Sequence, residues 1–170
     1  ATPAALPAGV RLERTSLDRV PAFHAALDAV ARERRYLALL EAPAVDRVAR
    51  FVADVLANDE VQWLAVNGNA VVGWCDILRN PLPSFHHVGR LGVSVVSAWR
   101  GRGIGSMLLN VAITDAHANG VTRIELDVFP SNTKAIRLYE SLGFRHEGRK
   151  RKARCVDGVY EDVLLMALVD

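Results

Sequence analysis

The sequence predicts an α/β (α+β) domain built on one mixed, mostly antiparallel central sheet flanked by helices. Three observations lead there. Apolar residues recur at helical spacing in two early segments, after a short alternating run at Val10–Arg14. Asn67-Gly68 and Asp157-Gly158 each separate two β-rich runs, and both residues of such pairs tolerate the positive φ of a tight hairpin. Between the hairpins come a strand, a glycine-rich turn, a helix and a further strand, the order of a parallel crossover.

The elements follow in chain order. Residues 10–14 alternate and make a first strand. Ser16 is placed to cap a helix, and Pro21 falls early enough to be tolerated in a first turn. Val20, Phe23, Ala26, Leu27 and Val30 carry that helix to about Arg35, and Pro43 breaks the chain. A second helix covers 45–57 with Val48, Phe51, Val52 and Val55 inward. Strands at 61–66 and 71–78 flank Asn67-Gly68. The loop Asn80-Pro81-Leu82-Pro83 leads to a strand over 88–96. A helix over 104–119 is closed by Asn119-Gly120, then come a strand at 124–129 and a short helix at 132–142 ended by Gly143. Strands at 145–154 and 160–168 complete the pattern. No repeat or linker divides it, so the expectation is a single domain over 1–170, with residues 1–8 a loose, proline-broken tail.

Composition narrows the function classes. The 170 residues are 51% hydrophobic and 24% charged, the balance of a globular chain with a real core. A formal net charge of +2 argues against nucleic acid as a partner. Cys75 and Cys155 form no CxxC pair, which reads as two free thiols and no metal. No apolar stretch is long enough for a membrane span, and the first residues lack the charged and apolar regions of a secretion signal. The expected location is therefore cytoplasmic.

The informative segment is Val93-Ser94-Val95-Val96-Ser97-Ala98-Trp99-Arg100-Gly101-Arg102-Gly103-Ile104-Gly105-Ser106. A strand enters a turn with three glycines and a helix starts at once. A helix N-terminus exposes unpaired N–H groups and the positive end of the macrodipole, and glycine lets an anion approach the backbone closely. The N–H groups from Gly101 to Ser106 therefore suit a pyrophosphate, with Arg100 and Arg102 adding charge at the rim. The segment is not a nucleotide P-loop, which ends in Gly-Lys-Ser/Thr where this chain has Gly-Ile-Gly-Ser. Nor is it a dinucleotide fingerprint, because Ser106 stands where that pattern has glycine.

Arg-x-x-Gly-x-Gly at Arg100, Gly103 and Gly105 resembles the coenzyme A signature of the GNAT superfamily of N-acyltransferases. Some thirty residues on, Asn132-x-x-Ala135-x-x-Leu138-Tyr139-x-x-x-Gly143-Phe144 resembles the second signature of that superfamily. The likeness runs from about Val88 to the end; over 10–78 only the element order agrees. It implies a GNAT-like fold, acetyl-CoA as cosubstrate, no metal, and transfer of the acetyl group to a primary amine by direct attack. By the same resemblance, the backbone around Val93 and Val95 pairs with the pantetheine arm. Gly101, Arg102, Gly103, Ile104, Gly105 and Ser106, with Arg100, hold the pyrophosphate. Asn132 caps its helix and contacts the arm, while Lys134 and Arg137 either approach the nucleotide or are solvated. Tyr139 gives a proton to the departing thiolate, a fitting task for a phenol with a pKa of about 10.

The base that deprotonates the amine is less legible. Many GNAT relatives carry a glutamate on the strand before the glycine turn, whereas residues 88–95 here contain no carboxylate. Glu125 and Asp127 share one face of the next strand by its period of two, which makes Glu125 a candidate base and Asp127 a candidate acceptor contact. Glu33 is a further candidate for the acceptor pocket, and His86, His87 and Asp76 are others. Trp74 and Tyr36 read as core before pocket wall. The run Arg149-Lys150-Arg151-Lys152-Ala153-Arg154 reads as a solvated edge. Asp157-Gly158-x-Tyr160-x-Asp162-Val163-x-x-Met166 resembles both the GNAT branch acting on amino acids and small amines and the branch acting on protein N-termini. The expected acceptor is an amino acid or other small amine; a protein N-terminus and a silent coenzyme A-binding module are the alternatives. A homodimer through the C-terminal strands is a further expectation.

Overall fold

The structure is a computed structural model and describes residues 5–170. Of the expected tail, residues 1–4 lie outside the described residues. Residues 5–9 form no helix or strand and end in a turn in which Val10 N–H donates to the Pro7 carbonyl at 3.0 Å.

The elements are β1 (Val10–Arg14), α1 (Val20–Arg32), α2 (Val45–Ala57), β2 (Val61–Asn67), β3 (Ala70–Arg79), β4 (Val88–Val95), α3 (Ile104–Ala118), β5 (Arg123–Val128), α4 (Thr133–Ser141), β6 (Arg145–Val156) and β7 (Val159–Val169). They form a seven-stranded sheet in the order β1-β2-β3-β4-β5-β7-β6. β4 and β5 are parallel, and the pairs β1–β2, β2–β3, β5–β7 and β6–β7 are antiparallel. The mixed, mostly antiparallel sheet expected from the hairpin signals is the one observed.

Three boundaries differ from the sequence reading by more than one residue. Ser16 makes no side-chain cap bond and precedes only a short turn over Leu17–Arg19, so α1 begins at Val20 behind Arg19. α1 stops at Arg32, not near Arg35, because Arg34 adopts a left-handed φ of 60° while Glu33 N–H and Arg34 N–H close the end onto the Val30 and Ala31 carbonyls. β6 continues to Val156. Its register shifts between Lys150 and Arg154, and Lys152 has a φ of 50°, the signature of a bulge that spoils a long exposed edge for further pairing.

The residues group into two compact units. The first holds the chain up to Leu78 together with Gly92–Asn119; the second holds Arg79–Leu91 with Gly120–Asp170. The division falls inside β4, between Leu91 and Gly92.

In the first unit the two faces of β2 and β3 carry different partners. Leu64 and Trp74 are directly opposed and pack with Phe23, Val30, Val48 and Val52 from α1 and α2. Phe23 meets Trp74 edge-on, with ring centroids 5.5 Å apart, so Trp74 is core, worth roughly 2–3 kcal/mol in burial. The opposite face takes α3. Trp63 Nε1 donates to Asp115 at 2.9 Å, and a Cβ on Gly73 would lie 3.2 Å from Leu108 and 3.0 Å from the Ser94 carbonyl. Gly73 thus has no side chain because β4 and α3 leave no room for one.

In the second unit, Ile124, Leu126, Val128, Phe144, Val163, Met166 and Ala167 are buried around the β5–β7–β6 ladder. β6 is exposed along nearly its whole length, as expected for the basic run.

Candidate active site

The glycine turn belongs to the first unit. After β4, one short turn over Ser97–Trp99 leads to Gly101 and Gly103, whose φ values are 74° and 82°. Only glycine adopts this region without strain. Gly103 is the N-cap of α3, and the first backbone bond of the helix runs from Met107 N–H to the Gly103 carbonyl at 3.1 Å. Among the described residues, the N–H groups from Gly101 to Ser106 have no hydrogen-bond partner. Nothing would touch a Cβ on Gly101. The Ile104 side chain is buried, which fixes the helix start and leaves only its backbone to face a ligand. These are the donors an oxyanion-rich group needs, so the residues fit the pyrophosphate of a coenzyme.

β4 itself is unusual for a strand in the middle of a sheet. Gly92, Val93, Ser94 and Val95 are each half-exposed, whereas β2 and β3 are mostly buried.

The two rim arginines part ways. Arg102 is exposed, its guanidinium 4.8 Å above the Trp99 ring. Arg100 is turned inward. Its Nε donates to the Val95 carbonyl at 2.8 Å, and its two terminal nitrogens form a forked pair with the Glu33 carboxylate. The same guanidinium stacks 4.6 Å from the Tyr36 ring. Here the sequence expectation needs correcting: Arg100 braces the turn and is not a free charge at its rim, because a planar cation is best satisfied by a two-pronged carboxylate and an aromatic face. Glu33, expected at an acceptor pocket, is held in that pair at the C-cap of α1. Tyr36 only partly joins the core; it lies between Arg35 and Arg100.

The second unit holds the other expected residues. Asn132 caps α4, its side chain accepting from Ala135 N–H at 3.4 Å. Lys134 and Arg137 are exposed. Tyr139 is buried to 7% exposure and tilts against Phe144 at 5.7 Å. Glu125 and Asp127 do share a face, and each already has an arginine: Arg123 Nε donates to Glu125 at 2.7 Å, and Arg90 lies 2.6 Å from Asp127. Arg123 also grips Glu147. The oxygens expected to serve as base and acceptor contact are thus each paired with a guanidinium group. His86 and His87 are exposed on the loop before β4.

The Acetyltransferase (GNAT) family model matches residues 24–144. This chain belongs to the GNAT family of acetyltransferases. It is 36% identical over 110 residues to the L-amino acid N-acetyltransferase AaaT of Escherichia coli, a match covering 64% of this chain and 67% of that protein. It is 38% identical over 76 residues to the ribosomal protein bS18-alanine N-acetyltransferase of Salmonella typhimurium, covering 45% of this chain and 51% of the relative. The chain therefore spans about two thirds of one relative and half of the other. The GNAT fold is also seen in yncA of Salmonella typhimurium, a putative acetyltransferase solved with its cofactor acetyl-CoA. The two superpose with a TM-score of 0.88 at 17% identity, covering 94% of this chain and 93% of that one.

One feature of the GNAT chain escapes a reading of the sequence. Asp76 on β3 lies directly opposite Gln62 on β2, and Thr15 N–H donates to the Gln62 carbonyl at 3.0 Å. These three residues form a polar row from the end of β1 across β2 to β3. The sequence signal is that Gln62 and Asp76 interrupt apolar runs, and it does not reveal which residues face one another.

Proposed function

We propose that this GNAT protein transfers the acetyl group of acetyl-CoA to the primary amine of an amino acid or other small amine. The observation that carries the reading is the set of unpartnered N–H groups from Gly101 to Ser106 at the start of α3, within the span matched by the family. The acceptor class is supported by the likeness to a protein named an L-amino acid N-acetyltransferase. Acetyl-CoA as the donor is supported by the fold shared with a neighbour solved with it.

In this reading Gly101, Arg102, Gly103, Ile104, Gly105 and Ser106 hold the pyrophosphate through backbone N–H groups and the helix dipole. Val93 and Val95 offer backbone to the pantetheine arm. Arg100 positions the turn. Asn132 holds α4 and approaches the arm. The amine attacks the thioester carbonyl, the C–N bond forms, the C–S bond breaks, the thiolate takes a proton from Tyr139, and the proton that the nitrogen sheds on becoming an amide restores the Tyr139 phenol. The Tyr139 assignment rests on the motif resemblance over 132–144.

The likeness to an N-acetyltransferase of ribosomal protein alanine supports a second reading, acetylation of a protein N-terminus. A thiol-release assay with acetyl-CoA against free amino acids, polyamines and short peptides, run beside Tyr139→Phe, tests all of this. Turnover with amino acids that falls at least tenfold in Tyr139→Phe supports the proposal. Turnover only with peptides moves the acceptor to protein N-termini. Tight acetyl-CoA binding without any turnover overturns the enzyme reading in favour of a binding module.

A further inference from the structure

The row Thr15–Gln62–Asp76 ends at Gly92 on β4, where a Cβ would lie 3.2 Å from Asp76 Oδ1. The space that a side chain at Gly92 would fill holds this carboxylate. Gln62 is 2% exposed and Thr15 6% exposed, yet the Gln62 amide oxygen and nitrogen and the Thr15 hydroxyl have no hydrogen-bond partner. Three orphaned polar atoms in one buried row are costly, and such a cost points to a ligand or a task. The row lies on the same face of β2 and β3 as Leu64 and Trp74, under α1 and α2. Asp76 itself is only half-buried, so a solvent-borne group can reach it.

We infer that Asp76 receives the proton of the acceptor's ammonium group, with Gln62 and Thr15 holding the polar end of the acceptor beside it and Gly92 providing the room. The inference rests on the acetyltransferase reading above. It accounts for the missing carboxylate on β4: the strand gives up its own side chain at Gly92, and the neighbouring strand supplies the acid group instead. The step balances simply. The ammonium N–H bond breaks, its proton passes to Asp76 and leaves the neutral amine, and Asp76 later returns that proton to solvent. The amine then attacks as described.

Burial holds Asp76 up at about 7, opposed by the Gln62 amide, which lies near enough to favour the ionised form without making a hydrogen bond of normal geometry. A base balanced near neutrality is suited to removing such a proton. Across β4 it faces Gly92 and across β2 it faces Gln62, neither of which titrates. Cys75, next to it on β3, is a buried thiol pushed up mainly by its own burial and also by the Asp76 charge.

The test is the pH profile of kcat/KM, from pH 5 to 9, for the wild-type enzyme, Asp76→Asn, Asp76→Glu and Gly92→Ala, with acetyl-CoA binding followed by calorimetry. The expected result is a loss of about 100-fold in Asp76→Asn at pH 7.5, with the ascending limb near pH 7 abolished. Asp76→Glu should recover part of the rate with a displaced limb, and acetyl-CoA affinity should stay within about twofold throughout. Gly92→Ala should also displace the limb, since its Cβ crowds the same oxygen. An unchanged limb in Asp76→Asn overturns the inference. Failure of the wild-type protein to bind acetyl-CoA is a separate result, which removes the acetyltransferase reading and the inference with it.

Discussion

Arg100 joins the glycine turn to the end of α1 by gripping both oxygens of Glu33, 67 residues away in sequence, while its Nε holds the last carbonyl of β4. The pair is about two-thirds shielded from solvent, and the Glu33 carboxylate raises the guanidinium's affinity for its proton. Arg100→Lys keeps the charge and loses the fork, so it should cost about 1 kcal/mol in urea unfolding; Arg100→Ala should cost about 2 kcal/mol, because Glu33 is left unpaired. Both should weaken acetyl-CoA binding in calorimetry by loosening the turn, and Glu33→Gln should do so less.

Gly103 and Gly105 separate the demands of folding from those of binding. Gly103 sits at a φ of 82°, so Gly103→Ala should lower stability by about 1–2 kcal/mol. Gly105 is helical, and a Cβ there would meet only Val95 at an ordinary 3.8 Å. Gly105→Ala should therefore raise stability by about 0.5–1 kcal/mol while reducing acetyl-CoA affinity. Thermal unfolding and calorimetry on the same two variants check both signs.

Gly73 should tolerate nothing larger. Its Cβ would press on the Ser94 carbonyl, Leu108 and Val95 at 3.0–3.3 Å. The first of these is backbone and cannot swing aside. Gly73→Ala should destabilise by about 1–3 kcal/mol in denaturant unfolding.

Asp76 should make stability depend on pH with a definite sign. Its folded pKa is raised from 3.8 to about 7, first by burial. Between those values the unfolded chain has lost the proton and the folded protein keeps it, so stability falls as pH rises through the window and levels off above 7. Asp76→Asn removes the titration. The variant should be more stable than the wild type above pH 7 by roughly 2–4 kcal/mol, a gain that vanishes toward pH 4. Urea unfolding across pH 4–8 reads this directly, and an opposite slope would contradict the burial of the carboxylate.

Much of the architecture is legible in the chain itself. Asn67-Gly68 and Asp157-Gly158 place two hairpins, the spacing of Phe23, Val30, Val48 and Val52 places the apolar faces of two helices, and Gly101 and Gly103 mark a turn that needs positive φ. These are local properties: turn chemistry, periodicity and the missing Cβ act within a few residues. The same locality explains why the glycine turn and the capping Asn132 stand out in the bare amino-acid string.

What the tertiary structure decided is which charges meet. Arg100 and Glu33, Arg90 and Asp127, and Thr15, Gln62 and Asp76 come from different strands and helices, and their pairing depends on sheet register and helix ends. A single residue of register sends a side chain to the opposite face of a sheet, and the left-handed Arg34 that ends α1 gives no warning in an arginine-rich run. The sequence alone therefore determined the fold and the glycine turn whose N–H groups are left without partners among the described residues. Only the packed sheet revealed that the carboxylates of β5 are spent on arginines and that Asp76 stands in the space left by Gly92.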